Sequence, residues 1–370
     1  MMKDQFIEQQ GIYLLSHSVG LPQKTAKSAA DLGFWQPWMA GNEKIWDHWL
    51  GEIERFRGQL GRLLNSDASH FCPQTTISSA VNKIIFSLTP ETHKNIILMS
   101  EEDFPSVAYA LQQSKTLGYH MRYIPAGLNL NDLDVWNQYL SDDVALVLVT
   151  QVQSNNGVQL PIEAITAMAS ERSIRSLVDI AQAIGIIPID IQQCSADFIV
   201  GSCVKWLSGG PGAAFLWVNP AITELCQPQN VGWFSHEDPF EFDIHNFRYA
   251  ADALRFWGGT PSIYPFCIAS ASLEFVNNLG VDKIRQHNLN LCEKIISSLA
   301  QGELISPANA NCRSGTLIVH FGERHQQITE KLREQRVQFD SRSKGIRLSP
   351  HIYNSEDQIN TVTQLIVNSR

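Results

Sequence analysis

The sequence lacks long apolar runs, closely paired cysteines and an excess of basic residues. No run reaches the roughly 18 apolar residues that a membrane-spanning helix needs, which argues against a membrane protein. The seven cysteines are odd in number and contain no CxxC pair, which argues against a disulfide framework and a structural zinc site, so we expect no metal. The formal net charge of -9 argues against binding nucleic acid by neutralising its phosphates.

The residues that are present are typical of a globular protein. Apolar residues make up 44% of the chain and charged residues 18%. The start, MMKDQFIEQQ, is polar and has no secretory leader, so we expect reduced thiols and a cytoplasmic location. A chain of 370 residues exceeds the usual size of one hydrophobic core, which predicts one large and one smaller domain.

Short apolar runs alternate with helical patterns along the first two thirds of the chain. The spacing of apolar residues from Ile45 to Leu64 predicts a long amphipathic helix. The runs NIILMS, HMRYIP, VALVLVT, SIRSLVDI and DFIVGS then predict strands, and SVAYALQQSKTLG, PIEAITAMASERS and AQAIG predict helices between them. Runs rich in valine and isoleucine are typical of strands buried on both faces. The pattern predicts an α/β fold with a mostly parallel sheet covered by helices.

The pattern changes after about residue 255. Two helical stretches, Ser262 to Leu279 and Val281 to Ala300, precede TLIVHF, RVQFDS and GIRLSP, which predict strands around one helix. This order predicts a smaller C-terminal α+β domain, closed by the helix EDQINTVTQLIVNSR. We therefore divide the chain into an N-terminal arm over 1–35, a large α/β domain over 36–250 and a small domain over 251–370.

The stretch GSCVKWLSGGPG places Lys205 between a small polar turn and a glycine-rich run. A lone lysine is usually a solvated surface charge. A lysine whose amine is kept partly neutral by its surroundings can instead form an imine with an aldehyde or ketone. The glycines at 209, 210 and 212 would let the backbone approach a bound molecule closely.

Three further positions follow strands or begin helices, where ligands of parallel sheets bind. Asp179 ends a buried strand, and a carboxylate there needs a partner such as the protonated ring nitrogen of a cofactor, or it caps the next helix. Thr75 and Thr76 stand at the start of a helix, where they could hold a phosphate or serve as ordinary caps. Phe104 follows a strand and could stack on a flat ring or simply pack.

These segments resemble the successive signatures of the fold-type I enzymes that depend on pyridoxal 5'-phosphate. Within them the sequence is similar to the class V aminotransferase superfamily and its kynureninase-like branch. The resemblance runs from about Ile12 to the C-terminus, and it rests on IYLLSHSVGLPQK, DIAQAIG, SADFIVGSCVKWLSGGPGAAFLWV, VGWFSHED, RFWGGTPSI and IRLSPHIYNSEDQI. It implies a seven-stranded, mostly parallel sheet and a homodimer with active sites at the subunit interface.

The resemblance implies a role for each matching residue. Lys205 would form the imine with the cofactor aldehyde and carry the proton of the substrate's α carbon. Asp179 would pair with the pyridinium nitrogen and keep the ring an electron sink. Thr75 and Thr76 would bind the phosphate, and Phe104 would stack on the ring.

Four more residues complete the implied site. Ser154 would lie near the phenolic oxygen of the cofactor. Arg347 matches the arginine that grips the substrate's α-carboxylate, a task suited to its bidentate fork. Trp233 and Thr260 match residues that reach the cofactor phosphate of the neighbouring subunit, which is the basis for the expected homodimer.

Several positions depart from the kynureninase pattern. Val204 stands where kynureninases carry a tyrosine and other class V enzymes often a histidine, which removes one phosphate contact, and Ser202 is the candidate to replace it. Gln182 replaces a histidine, Val107 an aspartate and Thr260 an asparagine that helps to bind substrate. These changes are compatible with cofactor binding but argue against specificity for kynurenine.

Transamination demands the least of such a pocket, because the lysine, the aspartate, a phosphate cradle and the carboxylate-binding arginine suffice. We therefore predict an aminotransferase-like activity toward a small amino acid. The same fold without activity, as a binding protein, remains an alternative, to which Val204 lends some support.

Two other reactions make further demands. Kynureninase-like hydrolysis of a C–C bond, the main alternative, needs an aromatic pocket and a group to activate water. Desulfuration needs a nucleophilic cysteine in the small domain, yet none follows Cys312, so we do not expect it. The candidates for the aromatic pocket are Trp35, Trp38 and Trp233, and those for proton transfer are His17 and His236.

Overall fold

The computed structural model describes residues 2–41 and 43–369. Positions 1, 42 and 370, which belong to the predicted arm, large domain and small domain, lie outside the described residues. The strands are β1 (Ile12–Tyr13), β2 (Phe71–Gln74), β3 (Ile96–Ser100), β4 (His120–Ile124), β5 (Val144–Thr150), β6 (Arg175–Asp179), β7 (Phe198–Ser202), β8 (Ala214–Val218), β9 (Leu317–Val319), β10 (Val337–Gln338), β11 (Asp340–Arg342) and β12 (Gly345–Leu348).

The α-helices alternate with the strands from β2 to β6, and four of the remaining helices follow β8. The helices are α1 (Ala26–Ala30), α2 (Gln36–Met39), α3 (Ile45–Leu64), α4 (Ile77–Ile85), α5 (Pro105–Gln112), α6 (Leu133–Tyr139), α7 (Ile162–Glu171), α8 (Tyr264–Leu279), α9 (Val281–Ser297), α10 (His325–Glu334) and α11 (Glu356–Val367). Among residues 2–41 and 43–369, no helix combines the length and apolar character needed to cross a bilayer.

A seven-stranded sheet forms the centre of the fold, with strand order β2-β8-β7-β6-β5-β3-β4. The pairs from β4 through β3, β5 and β6 to β7 are parallel, whereas β8 runs antiparallel to both β7 and β2. The inner parallel strands β3, β5, β6 and β7 are buried on both faces, whereas the edge strand β4 is partly exposed. The predicted mostly parallel seven-stranded sheet is confirmed.

Most predicted elements lie within two residues of their observed bounds. The helix predicted over Ile45 to Leu64 is α3, which turns Ile53, Phe56 and Leu60 toward the sheet. The helix predicted for AQAIG is wrong, because residues 181–185 form turns and Gly185 has a φ of +88°. RVQFDS, predicted as one strand, is divided between β10 and β11.

A second, smaller core lies at the C-terminal end of the chain. The antiparallel sheet β11-β12-β9 packs against helices α9, α10 and α11. The N-terminal segment joins this core, since β1 pairs in parallel with β10 and the side chains of Ile12 and Leu14 are buried in it. The α+β character predicted for this region is confirmed, and the three domain boundaries stay a prediction.

Leu148 on the central strand β5 has no exposed surface. Leu148→Ala is expected to lower the free energy of unfolding by about 2–5 kcal/mol, because it leaves a cavity in the core. Urea denaturation measures the effect. The control is Leu225→Ala, at a leucine that is 68% exposed, with an expected change below about 0.5 kcal/mol. Equal effects of the two substitutions would contradict the burial of β5.

Candidate active site

A cavity of about 560 Å³ opens at the carboxyl ends of the parallel strands. A larger cavity of about 810 Å³ lies elsewhere, around Lys94 and Asp197, and its walls include none of the predicted site residues. The first cavity brings together eight of the eleven predicted residues: Thr75, Thr76, Phe104, Ser154, Asp179, Gln182, Ser202 and Lys205. The sheet topology explains this, because β3, β5, β6 and β7 all end at this edge.

Lys205 lies three residues beyond the end of β7 and is half-buried. Burial lowers the pKa of its amine to about 8, and the charges of Arg347 and Arg342 act in the same direction, while Asp179 opposes them. Its Nζ atom lies 5.9 Å from the centroid of the Phe104 ring. An amine with this pKa is partly neutral near pH 7 and can act as a nucleophile or a base.

Asp179 ends β6 and is only 5% exposed. Its Oδ1 atom accepts a hydrogen bond of 2.8 Å from the backbone N–H of Ala181, so it caps the following turn. Burial raises the pKa of this carboxyl, while the Ala181 N–H and the charge of Lys205 lower it. Within the described part of the chain, Oδ2 receives no hydrogen bond, and this open oxygen fits the protonated ring nitrogen of pyridoxal phosphate.

The hydroxyls around the cavity differ in whether they already make hydrogen bonds within the protein. Thr76 caps α4: its Oγ1 accepts the N–H of Ser79 at 3.0 Å. The hydroxyls of Thr75, Ser154 and Ser202 make no hydrogen bond to any described residue and remain available to a phosphate or a phenolic oxygen. Together with the start of helix α4, these donors fit the anionic part of the cofactor.

Gln182 uses its side-chain amide within the protein. Its Nε2 donates to the carbonyl of His17 at 3.0 Å, and its Oε1 accepts from Nε1 of Trp206 at 3.4 Å. Val204 faces the same cavity with an apolar side chain. Gln182 therefore ties the N-terminal segment to the segment that carries Lys205.

Arg347 on β12 is buried and lies behind the cavity wall. Its Nε donates to Oδ1 of Asp340 at 2.8 Å, and its Nη2 donates to Oδ2 of the same carboxylate. Its other terminal nitrogen reaches the carbonyl of Ser154 at 3.3 Å. Arg347 thus contacts a residue of the cavity wall, while most of its charge is matched by Asp340.

Trp233 and Thr260 lie outside the cavity of their own chain. Trp233 packs in an aromatic cluster with Trp46, Phe234 and Phe242, and Thr260 is exposed. Their role at the cofactor of a neighbouring subunit stays a prediction.

The two histidines considered for proton transfer have both ring nitrogens engaged. His17 contacts Oγ of Ser349 at 2.6 Å and Oδ1 of Asp340 at 3.0 Å, and burial lowers its pKa to about 4. His236 accepts the N–H of Asp238 and contacts the carbonyl of Asn246, both at 2.9 Å. Neither histidine offers a free nitrogen to activate water.

The other side chains considered for alternative reactions also lie elsewhere. Trp35 and Trp38 stack on each other at 5.6 Å and do not line the cavity; Trp38 joins the cluster of Trp46 and Trp233 through Trp49. None of the seven cysteines, all of them described, lines the cavity. In the described part of the chain, no three His, Cys, Asp or Glu side chains are grouped so that they could hold a metal ion.

Sequence reasoning missed the contribution of Gly20. Its N–H donates to the carbonyl of Val204 at 2.9 Å, and a Cβ atom on it would lie 2.2 Å from the carbonyl oxygen of Lys205. The N-terminal segment therefore presses directly on the backbone of the lysine. A lone glycine in a loop carries no signal of such a long-range contact.

Two acidic residues were missed as well. Burial raises the pKa of Asp103 to about 6, and its carboxylate accepts hydrogen bonds from Ser100 N and Gln153 Nε2 next to Phe104. Asp340 pairs with Arg347 across the hairpin β11–β12. The sequence signal that could have indicated this pair was the seven-residue spacing of Asp340 and Arg347 around a tight turn.

Two solved structures share this architecture over nearly the whole chain. The apo cysteine desulfurase of Thermococcus onnurineus NA1 has a TM-score of 0.85 at 18% identity, covering 97% of this chain and 94% of that one. A C-DES mutant with glycine covalently linked to its PLP cofactor has a TM-score of 0.86 at 20% identity, covering 97% and 96%. At these identities the likeness establishes the fold, which is that of the fold-type I enzymes dependent on pyridoxal phosphate.

Sequence comparison narrows this class to one family. The uncharacterized aminotransferase YcbU of Bacillus subtilis is 27% identical over 315 residues, 85% of this chain and 83% of its own length. The kynureninase of Deinococcus radiodurans is 28% identical over 352 residues, 90% of this chain and 83% of its own length. The family model Aminotransferase class-V matches residues 50–362, and the chain belongs to this family of enzymes that use pyridoxal phosphate. The family and the cofactor predicted from the sequence are confirmed.

Gly20→Ala is expected to weaken the uptake of pyridoxal phosphate by about tenfold or more, because the added methyl group must displace the Lys205 backbone. Visible absorbance on adding cofactor to the apoprotein measures uptake. The matched control is Gly58→Ala in α3, where a Cβ atom would meet nothing within 4 Å. Unchanged uptake by Gly20→Ala would contradict the tight packing of the arm on the lysine.

Proposed function

We propose that this protein transfers the amino group of a small amino acid. The observation that carries the proposal is that Lys205, with a pKa near 8, shares one cavity with the buried Asp179 and a set of open hydroxyls. These are the groups that the half reaction requires.

The bound cofactor supplies an aldehyde that combines with amines and a ring that withdraws the electron pair left at the substrate's α carbon. Thr75, Ser202 and the start of α4 would hold its phosphate, and Ser154 its phenolic oxygen. Phe104, which is 40% exposed and faces the cavity, would pack against the ring.

Lys205 and Asp179 would perform the proton chemistry. The neutral amine of Lys205 takes the proton from the α carbon of the substrate and holds it for return. The carboxylate of Asp179, which is buried and has one open oxygen, would keep the ring nitrogen of the cofactor protonated. Val204 adds no polar group to either task.

The size of the cavity supports a small substrate. A volume of about 560 Å³ must hold both the cofactor and the amino acid. Arg347 lies behind Ser154 and would receive the α-carboxylate at that wall. The side chain of the substrate is then left with limited room.

Kynureninase-like hydrolysis is the second candidate, because the kynureninase of Deinococcus radiodurans is 28% identical over 90% of this chain. The engaged nitrogens of His17 and His236 and the placement of Trp35 and Trp38 outside the cavity speak against it. We rank it below transamination for these reasons.

A homodimer belongs to the proposal. Exposed apolar side chains are concentrated along the loop after Trp233, where Ile244 is 90% and Phe242 73% exposed. Apolar surface of this kind is typical of protein interfaces. Trp233 and Thr260 would then serve the neighbouring site, as in the predicted arrangement.

The reaction can be tested with a panel of amino acids. We expect the protein with bound cofactor to convert one small amino acid to its keto acid when an acceptor keto acid is present, detected by mass analysis. Lys205→Ala lacks the amine that moves the proton and is expected to lose at least about 100-fold in rate. Cleavage of kynurenine instead would favour the second candidate, and no conversion or absorbance change with any compound would identify a binding protein.

The capture of the cofactor by Lys205 should depend on pH. The amine is protonated below its pKa of about 8 and neutral above it, so the rate of capture should rise through a midpoint near that value. The time course of absorbance at each pH measures the rate. Asp179→Asn removes a charge that raises the pKa and should move the midpoint down. A midpoint near the ordinary lysine value of about 10.4 would contradict the burial of the amine.

A further inference from the structure

The arginine assigned to the substrate carboxylate is already paired within the protein. Two donors of Arg347, Nε and one terminal nitrogen, bind both carboxylate oxygens of Asp340. This bidentate pair joins opposite residues of β11 and β12 and is buried on the arginine side. The guanidinium plane is therefore held along one edge.

The carboxylate of Asp340 is itself held by a chain of hydrogen bonds that begins at His17. Its Oδ1 accepts from Nε2 of His17, while Nδ1 of the same ring contacts Oγ of Ser349, which contacts Oγ1 of Thr316 at 2.8 Å. The imidazole ring of His17 is neutral and carries one N–H, which points to Asp340. In this chain of hydrogen bonds the hydroxyl of Thr316 therefore donates to Ser349, and the hydroxyl of Ser349 donates to Nδ1 of His17. The carboxylate of Asp340 thus stays charged and fixed in place.

Arg347 also contacts the cavity wall, through the carbonyl of Ser154. A guanidinium has five N–H groups, and three are used by Asp340 and by the carbonyl of Ser154, which lines the cavity. The two that remain are one on each terminal nitrogen. A carboxylate that enters beside Ser154 can take these two while Asp340 stays in place.

We propose that Asp340 is a positioning residue that aims Arg347 at the α-carboxylate of the substrate, with His17 as its support. This inference rests on the proposed function and adds that the substrate binds to the pair Arg347–Asp340 without displacing Asp340. The site then selects substrates that carry an α-carboxylate over amines that lack one.

The alternative for the same contacts is competition, in which Asp340 occupies Arg347 and a substrate must displace it. The two roles predict opposite changes in the affinity for amino acids when Asp340 loses its charge. Loss of the charge of Asp340 weakens the binding of amino acids if it positions Arg347, and strengthens their binding if it competes.

The test is a comparison of Asp340→Asn with the wild-type protein, both with bound cofactor. Absorbance titrations give the dissociation constants of the amino acid converted in the panel and of the amine with the same side chain but no carboxylate. We expect Asp340→Asn to bind the amino acid about tenfold more weakly. The amine should bind equally well to both proteins, and KM should change more than kcat.

Two further variants keep the test decisive. Asp340→Glu retains the charge and should recover part of the lost affinity, which a general loss of packing would not allow. Asp143→Asn removes an equivalent bidentate pair, with Arg122, on the far edge of the sheet and should change neither constant.

The outcomes distinguish a failure of the positioning role of Asp340 from a failure of the proposed function. Unchanged or tighter binding of the amino acid by Asp340→Asn, or equal weakening of amino acid and amine, would overturn the positioning role while leaving the proposed function intact. A wild-type protein that takes up cofactor but binds no amino acid would overturn the proposed function and this inference with it.

Discussion

The site depends on one constraint: an amine and a carboxylate are held together in a place where water is scarce. Lys205 follows β7 and Asp179 ends the neighbouring strand β6, and the parallel pairing of these strands brings both residues to one edge of the sheet. Burial pushes the pKa of the lysine down and that of the aspartic acid up, and the two groups partly offset each other. This mutual compensation makes the buried pair tolerable and chemically useful.

Segments distant in the chain close over this pair. The N-terminal segment reaches the lysine through Gly20, and the C-terminal hairpin supplies Asp340 and Arg347 from the other side. Lys344 in the turn of that hairpin pairs with Glu102 at 2.8 Å, close to Phe104. Both ends of the chain therefore pack behind the cavity walls, which makes the shape of the cavity sensitive to changes far from the lysine.

Much of the fold could be predicted because its pattern is local. The continuous apolar run VALVLVT is β5, and the amphipathic spacing from Ile45 to Leu64 is α3. The short AQAIG was mistaken for a helix, because five residues carry too little periodic signal and Gly185 turns the chain. For the site, the strand-end positions of Lys205 and Asp179 were sufficient to bring them together, since parallel strands share an edge.

By itself the sequence determined the fold class, the family through its resemblance, and the position of Lys205 and Asp179 at one edge of the sheet, since these follow from periodicity and from motifs whose residues are near neighbours. Only the tertiary structure decided how the donors are used: that Thr76 caps α4, that both nitrogens of His17 are engaged and that Arg347 is paired with Asp340. The reason is physical: a hydrogen bond depends on the distance and direction between its two atoms. For contacts that join residues 17, 340 and 349, the tertiary packing sets this distance and direction. The sequence alone does not specify them.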